Sequence, residues 1–162
     1  MMNWMNAWNT IIRKVIFPDH DLKVLMKLPP KTGILQFIDR YFIRAGYSNT
    51  LLKDEVCRIV YSDIQGSDTK VPNVRRNMMT FDIYVKMDEL HNYGDDRLQY
   101  RTHLIAQRLQ ELLTKDRYLA DTGYRFWPAG DWDLGTRVTG YARYCIAFYY
   151  MKVYPGSKPL KY

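Results

Sequence analysis

The chain has 162 residues, 47% hydrophobic, 15% aromatic and 25% charged, the profile of one globular domain large enough to bury a core without staples. Its formal charge is +7 with a pI near 9.4, but Lys and Arg are scattered from Arg13 to Lys161 with no run of five; a solvated surface, acidic protein partners and nucleic acid all stay open. No stretch of eighteen apolar residues exists, so no membrane-spanning helix is expected, and Cys57 and Cys145, far apart and outside any CxxC pair, exclude a disulfide framework.

Residues 3–16 read as an amphipathic helix: Trp4, Ala7, Trp8, Ile11, Ile12 and Val15 recur at three and four, and Pro18 stops it. Arg13 and Lys14 at its far end and the absence of a small-residue cleavage site argue against a secretory signal. Two Trp on one stripe need a surface, either the domain's own core or a neighbouring subunit. Residues 19–33 are ambiguous, with Pro29, Pro30 and Gly33 marking a linker. Residues 34–45 fit a further helix, closed by Gly46.

Val56 to Ile64 alternates as a strand, and the polar stretch from Gly66 to Arg75, with Pro72, predicts a long hairpin loop. Met79, Phe81, Ile83, Val85 and Met87 are then apolar at every second position, the period of a half-buried strand. After a turn at 91–96 the period becomes helical. Leu98, Ile105, Leu109 and Leu112, with Thr102, Ala106 and Leu113 at the margin, share one side of a 95–114 helix that Asp95 or Asp96 would cap. A second hairpin is expected from 124–132 and 138–154, joined near Asp133-Leu134-Gly135. The final strand is apolar on both faces, so it should be central or have its far end covered by another chain.

These elements predict an α/β (α+β) chain with a mostly antiparallel four-stranded sheet, the 95–114 helix on one face and helices at the N-terminus. The expected organisation is an N-terminal helical segment and linker over 1–33, a single domain over 34–154 and an exposed tail over 155–162.

No constellation carries an obvious reaction. His20, His91 and His103 are not at metal-ligand spacing, and no glycine-rich phosphate loop or GxSxG elbow occurs. Asp88, Glu89, Asp95 and Asp96 are better explained by a helix start than by a cation. Pro18-Asp19 and Asp21-Leu22-Lys23 have the letters of a metal-dependent nuclease but are too close together for its site. No catalytic residue, metal ligand or cofactor is therefore expected. What remains is a margin of cations, Arg97, Arg101 and Arg108, beside the apolar stripe of the 95–114 helix. The other surplus is aromatic: 14 Tyr suit either subunit contacts or a Tyr-rich sheet surface. The predicted contact residues are Arg97, Arg101, Arg108, Tyr149, Tyr150, Trp4 and Trp8.

Four segments, Tyr61 to Gly66 (YSDIQG), Phe81 to Lys86 (FDIYVK), Asp96 to Leu109 (DRLQYRTHLIAQRL) and Gly140 to Phe148 (GYARYCIAF), together with the order strand, strand, helix, hairpin, resemble the tail terminator and head-tail joining proteins of long-tailed bacteriophages. The resemblance implies a non-enzymatic virion protein at the head-tail junction, made in the host cytoplasm during assembly. It implies a ring, usually a hexamer, that caps the tail tube, stops its polymerisation and meets the head connector or head-closure protein, with DNA passing through the lumen without sequence-specific binding. A neighbouring neck protein, or a basic nucleic-acid-binding protein, is the alternative.

Overall fold

The structure, a computed structural model, describes residues 3–46, 54–68, 75–91, 100–115 and 119–152. Asn3 starts helix α1 (Trp4–Ile11), its side chain accepting from the Asn6 amide at 2.9 Å, which satisfies one of the donors a helix start leaves open. The helix widens into a π-turn over Ile12–Ile16, closed by the Phe17 amide donating to the Ile12 carbonyl at 2.8 Å. The extra residue per turn brings Ile16 to the buried side with Ile11 and Ile12. Pro18 ends this segment, and Asp19 caps α2 (His20–Leu25) by accepting from the Leu22 amide at 2.8 Å, which gives the ambiguous stretch a short helix.

The helix expected over 34–45 is only half formed. A helical turn, α3 (Ile34–Gln36), passes through a π-turn over Phe37–Tyr41 and then opens into strand β1 (Phe42–Arg44). Tyr41, Phe42 and Ile43 are all buried. A short apolar run has no period that distinguishes helix from strand, and here pairing with a neighbouring strand decides. Gly46 follows at φ +82°, a conformation that disfavours side chains.

Strands β2 (Cys57–Asp68) and β3 (Arg75–Lys86) form an antiparallel pair whose ladder reaches Asp68 opposite Arg75. Gly66, Ser67, Asp68 and Arg75, expected in a loop, are thus in the sheet; residues 69–74 lie outside the described residues. Strands β4 (Tyr124–Val138) and β5 (Tyr141–Lys152) form the second hairpin. Its turn is Thr139-Gly140, with Gly140 at φ +81°, rather than Asp133-Leu134-Gly135. Gly140 adopts that positive φ without the strain a side chain would bring, whereas the Gly135 stretch is absorbed in β4 as register shifts.

The sheet has five strands in the order β1-β2-β3-β5-β4, with β1 parallel to β2 and the other pairs antiparallel. The fold is α+β as expected, with a mixed sheet in place of the four-stranded one because β1 had read as helix. Strand β5, apolar on both faces, is interior, hydrogen-bonded to β3 and β4. Helix α4 (Arg101–Thr114) lies across β3, β4 and β5, burying Thr102, Ile105, Ala106, Leu109, Leu112 and Leu113; the expected capping residues Asp95 and Asp96 lie outside the described residues. Met79, Phe81, Ile83 and Val85 are fully buried under it, as their alternation requires. Trp8, Ile11 and Ile16 of the N-terminal segment join the same core. The tail over 155–162 lies outside the described residues.

Candidate functional site

The aromatic residues singled out in the sequence separate into an interior group and an outer one. Trp4 stacks on Tyr150 with centroids 4.0 Å apart, and Trp8 meets Phe42, Phe81 and Phe126. The polar tips converge on one carboxylate: Asp63 accepts from the Trp4 indole and from the Tyr150 hydroxyl, each at 2.5 Å. Burial, with that carboxylate second, pushes the Tyr150 hydroxyl well above the ordinary phenol range. Trp8 and Tyr150 are buried and Trp4 packs against the core, so their first partner is their own sheet. Of the two surfaces open to the paired Trp, the domain's own core is the one they take.

The cation margin on α4 also turns inward. Arg101 is 3% exposed; its Nε donates to the Glu89 carbonyl and its Nη1 to the Leu25 carbonyl, both at 2.8 Å. It therefore ties α2 and the segment after β3 to the start of α4 and is not a surface contact, a correction to its predicted place. Arg108 grips the Asp19 carboxylate through Nε at 2.9 Å and Nη2 at 2.6 Å and also reaches Glu111. The bidentate pair, outweighing burial, holds Asp19 below the usual carboxylate range and raises Arg108. Asp19 thus caps α2 and anchors α4 at once. Arg97 lies outside the described residues.

No group of three or more His, Cys, Asp or Glu is placed to hold a metal ion among the described residues, and Glu89 is occupied by Lys27 at 3.0 Å. Cys57 and Cys145 are buried and unpaired with each other, and burial pushes both thiols up to about 12. A polar cleft between α4 and the β4–β5 hairpin holds His103, its ring tilted against Tyr144 with centroids 4.2 Å apart and the Tyr144 hydroxyl donating to Asp131. Burial raises Tyr144 to about 12, with Asp131 adding to it; a group that keeps its proton so firmly is a poor general acid or base at neutral pH.

The opposite face of the sheet is different. Directly paired residues point the same way across neighbouring strands, so Ile43, Val60, Asp82, Cys145 and Trp132 form one row across all five strands. Met78, Tyr149 and Trp127 form another. Val60, Cys145 and Ala147 are buried here but stand outside the core beneath the helices, which means that the broad side chains around them supply the cover. Tyr149, Trp127 and Met78 are half-buried and Trp132 is 50% exposed. Arg125 lies over Trp127 at 4.9 Å and Arg143 over Tyr84 at 5.7 Å. Arg143 pairs with Asp82 at 2.9 Å and Arg58 with Glu55 at 3.0 Å.

Among the described residues, helix meets this second face at its β1 edge, where Arg58 Nε donates to the Arg40 carbonyl of the Phe37–Tyr41 turn at 2.9 Å, while α4 packs on the other face. Of the predicted contact residues among the described ones, only Tyr149 lies on the second face. Trp127 and Trp132 belong to it and were missed; their signal was the alternation Phe126/Trp127 opposite β5, which identifies the face but not its exposure. The chain matches no protein-family model and no curated protein.

Proposed function

We propose that this chain is a structural virion protein that assembles as a ring at the head-tail junction of a long-tailed phage. In that role it caps the tail tube, stops its polymerisation and joins the tube to the head connector. The reading begins from the four resembling segments, and the observation that carries it further is the uncovered second face of the sheet. A monomer gains little by placing Trp127, Trp132, Tyr149 and Met78 on the part of that face that none of its described helices cover, whereas an interface core is enriched in Trp, Tyr, Met and Arg. A head-closure or other neck protein of the same junction would use the same kind of face.

Arginine lying over aromatic rings also suits nucleic acid, since bases stack on aromatic side chains and phosphates attract cations. Two arginines of the face, Arg58 and Arg143, already face carboxylates, which leaves less charge for phosphate and favours a protein partner. Salt distinguishes the two: phosphate binding weakens steeply as salt rises, and contacts between apolar and aromatic surfaces do not. The direct test is the mass of the purified protein by sedimentation, alone and mixed with tail tube protein. A ring-sized species, or one that forms only with tube, is the expected outcome; a monomer in both samples with salt-sensitive DNA binding overturns it. In an infected cell, loss of the protein should leave tails of uncontrolled length or tails without heads while DNA still fills the heads.

A further inference from the structure

Three carboxylates share one guanidinium on the helix layer. Arg108 of α4 meets Asp19, Asp21 and Glu111 at 2.6, 3.8 and 3.0 Å, which leaves two negative charges in excess with the His20 imidazole neutral. Asp21 and Glu111 carry that excess outward, their side chains 70% and 52% exposed. They border a cleft of about 500 Å³ between α2 and α4, lined also by Val24, Leu25 and Leu104, of which Val24 is 59% exposed. An apolar cleft with an acidic rim, on a chain of formal charge +7, suits a cation carried beside an apolar body.

The second face of the sheet presents that combination. Arg58 and Arg143 are held by Glu55 and Asp82, whereas Arg125 is exposed and, among the described residues, lies over Trp127 rather than against a carboxylate. A guanidinium resting on an indole keeps its N–H edge free to take a carboxylate. We propose that Arg125 and Trp127 of one copy seat in the α2–α4 cleft of the next, the guanidinium meeting Asp21 and Glu111 and the indole covering Val24 and Leu104. A subunit cannot fill its own cleft: α4 packs on one face of the sheet, and Arg125 and Trp127, two positions apart on β4, stand on the other. One contact between copies offsets both unmatched charges, whereas a foreign partner would offset one and leave the other. A large aromatic side chain with an arginine beside it is also the anchor that such a contact needs.

Because cleft and sheet face are different surfaces, the contact is head-to-tail, and its repetition gives a closed ring or an open filament rather than a two-fold dimer. The inference rests on the ring proposal, to which it adds the surface that meets the second face, and it is separable from it. Two variants, Met151→Cys, opposite Arg125 on β5, and Gln107→Cys, on the exposed wall of the cleft, leave the four contacting acids and bases in place. Mixed at high concentration and oxidised, they should give a mixed disulfide dimer several-fold more abundant than either homodimer. Arg125→Glu added to the Met151→Cys chain should lower that yield several-fold, and Asp21→Arg added to the Gln107→Cys chain should then restore it, as a direct charge pair requires. Unmutated protein, whose cysteines are buried, supplies the background. Absence of the mixed species, homodimers in equal yield, a mixed species indifferent to Arg125→Glu, or a loss that Asp21→Arg does not restore overturns the contact, even if sedimentation still shows a ring.

Discussion

The two faces of one sheet are covered differently, and strand β5 shows it within a single segment. Its residues Tyr144, Ile146, Phe148 and Tyr150 point into a core that α1 and α4 complete. The alternating residues Cys145, Ala147 and Tyr149 are no more polar, yet they stand outside that core, in rows with residues of β3 and β4 such as Trp127. Apolar surface removed from water is worth roughly 25 cal/mol per Å² wherever it is buried. On the inner face that gain is collected in folding, and on the outer face part of it is left for the ring contact proposed above. Perturbing the inner face should therefore unfold the chain, and perturbing the outer face should leave it folded and change what it binds.

The largest effect is expected at Arg101. Arg101→Glu strips donors from the Glu89 and Leu25 carbonyls and buries an unmatched carboxylate, at a cost of about 3–5 kcal/mol, read as loss of a cooperative unfolding transition. Phe81→Ala, beneath Trp8, Phe42 and Phe148, should cost a similar or slightly smaller amount, about 3–4 kcal/mol, in urea unfolding. A soluble, fully folded Arg101→Glu protein would place that residue at the surface and break the comparison.

Asp19 offers a pH test of how the helices are held over the inner face. Its carboxyl is held below the ordinary range by Arg108, so its contribution is complete above the unfolded-state pKa and is lost as pH falls through the lower folded-state value. Asp19→Asn keeps a capping side chain and loses the charge pair; the expected cost at neutral pH is about 1–2 kcal/mol. The stability gap between wild type and variant should close as the solution is acidified below about pH 4. A gap that stays constant into strong acid would contradict the pair.

Outer-face changes come last in stability. Trp127→Ala and Tyr149→Ser should shift the unfolding free energy by about 1 kcal/mol or less, while weakening the ring or the tube-bound species in sedimentation. If either variant unfolds the protein without affecting assembly, the division between the faces fails. Cys145 sharpens the same point at no cost in stability: with its thiol raised to about 12 by burial, it should resist alkylation at pH 8 in folded protein and react fully in urea.

Periodic positions were legible because they repeat one local geometry many times. The alternation through Phe81, Ile83 and Val85 and the helical stripe of Ile105, Leu109 and Leu112 identified their buried sides correctly, since the period itself follows from strand and helix geometry. Where the signal was short or depended on a distant partner, it failed. Phe42 and Ile43 read as helix until β2 supplied a strand beside them. Gly135 read as a turn, although Gly140 was the residue whose positive φ closed the hairpin.

The candidate surface divides along the same line. Trp4, Trp8 and Tyr150 had the chemistry of contact residues, but aromatic character is the same in a core and at an interface, and only the docking of α1 onto β5 put them inside. Arg101 and Arg108 sat correctly at the margin of the apolar stripe; the carbonyls and carboxylate that claimed them came from α2 and the segment after β3, far away in sequence. By itself, then, the sequence determined the periods of the elements, the apolar character of both faces of β5 and an α+β chain, because these depend on neighbours within a few residues. Tertiary structure alone decided which apolar face was left uncovered and which cations were consumed, because both depend on long-range packing that brings residues such as Asp19 and Arg108, 89 positions apart, into contact.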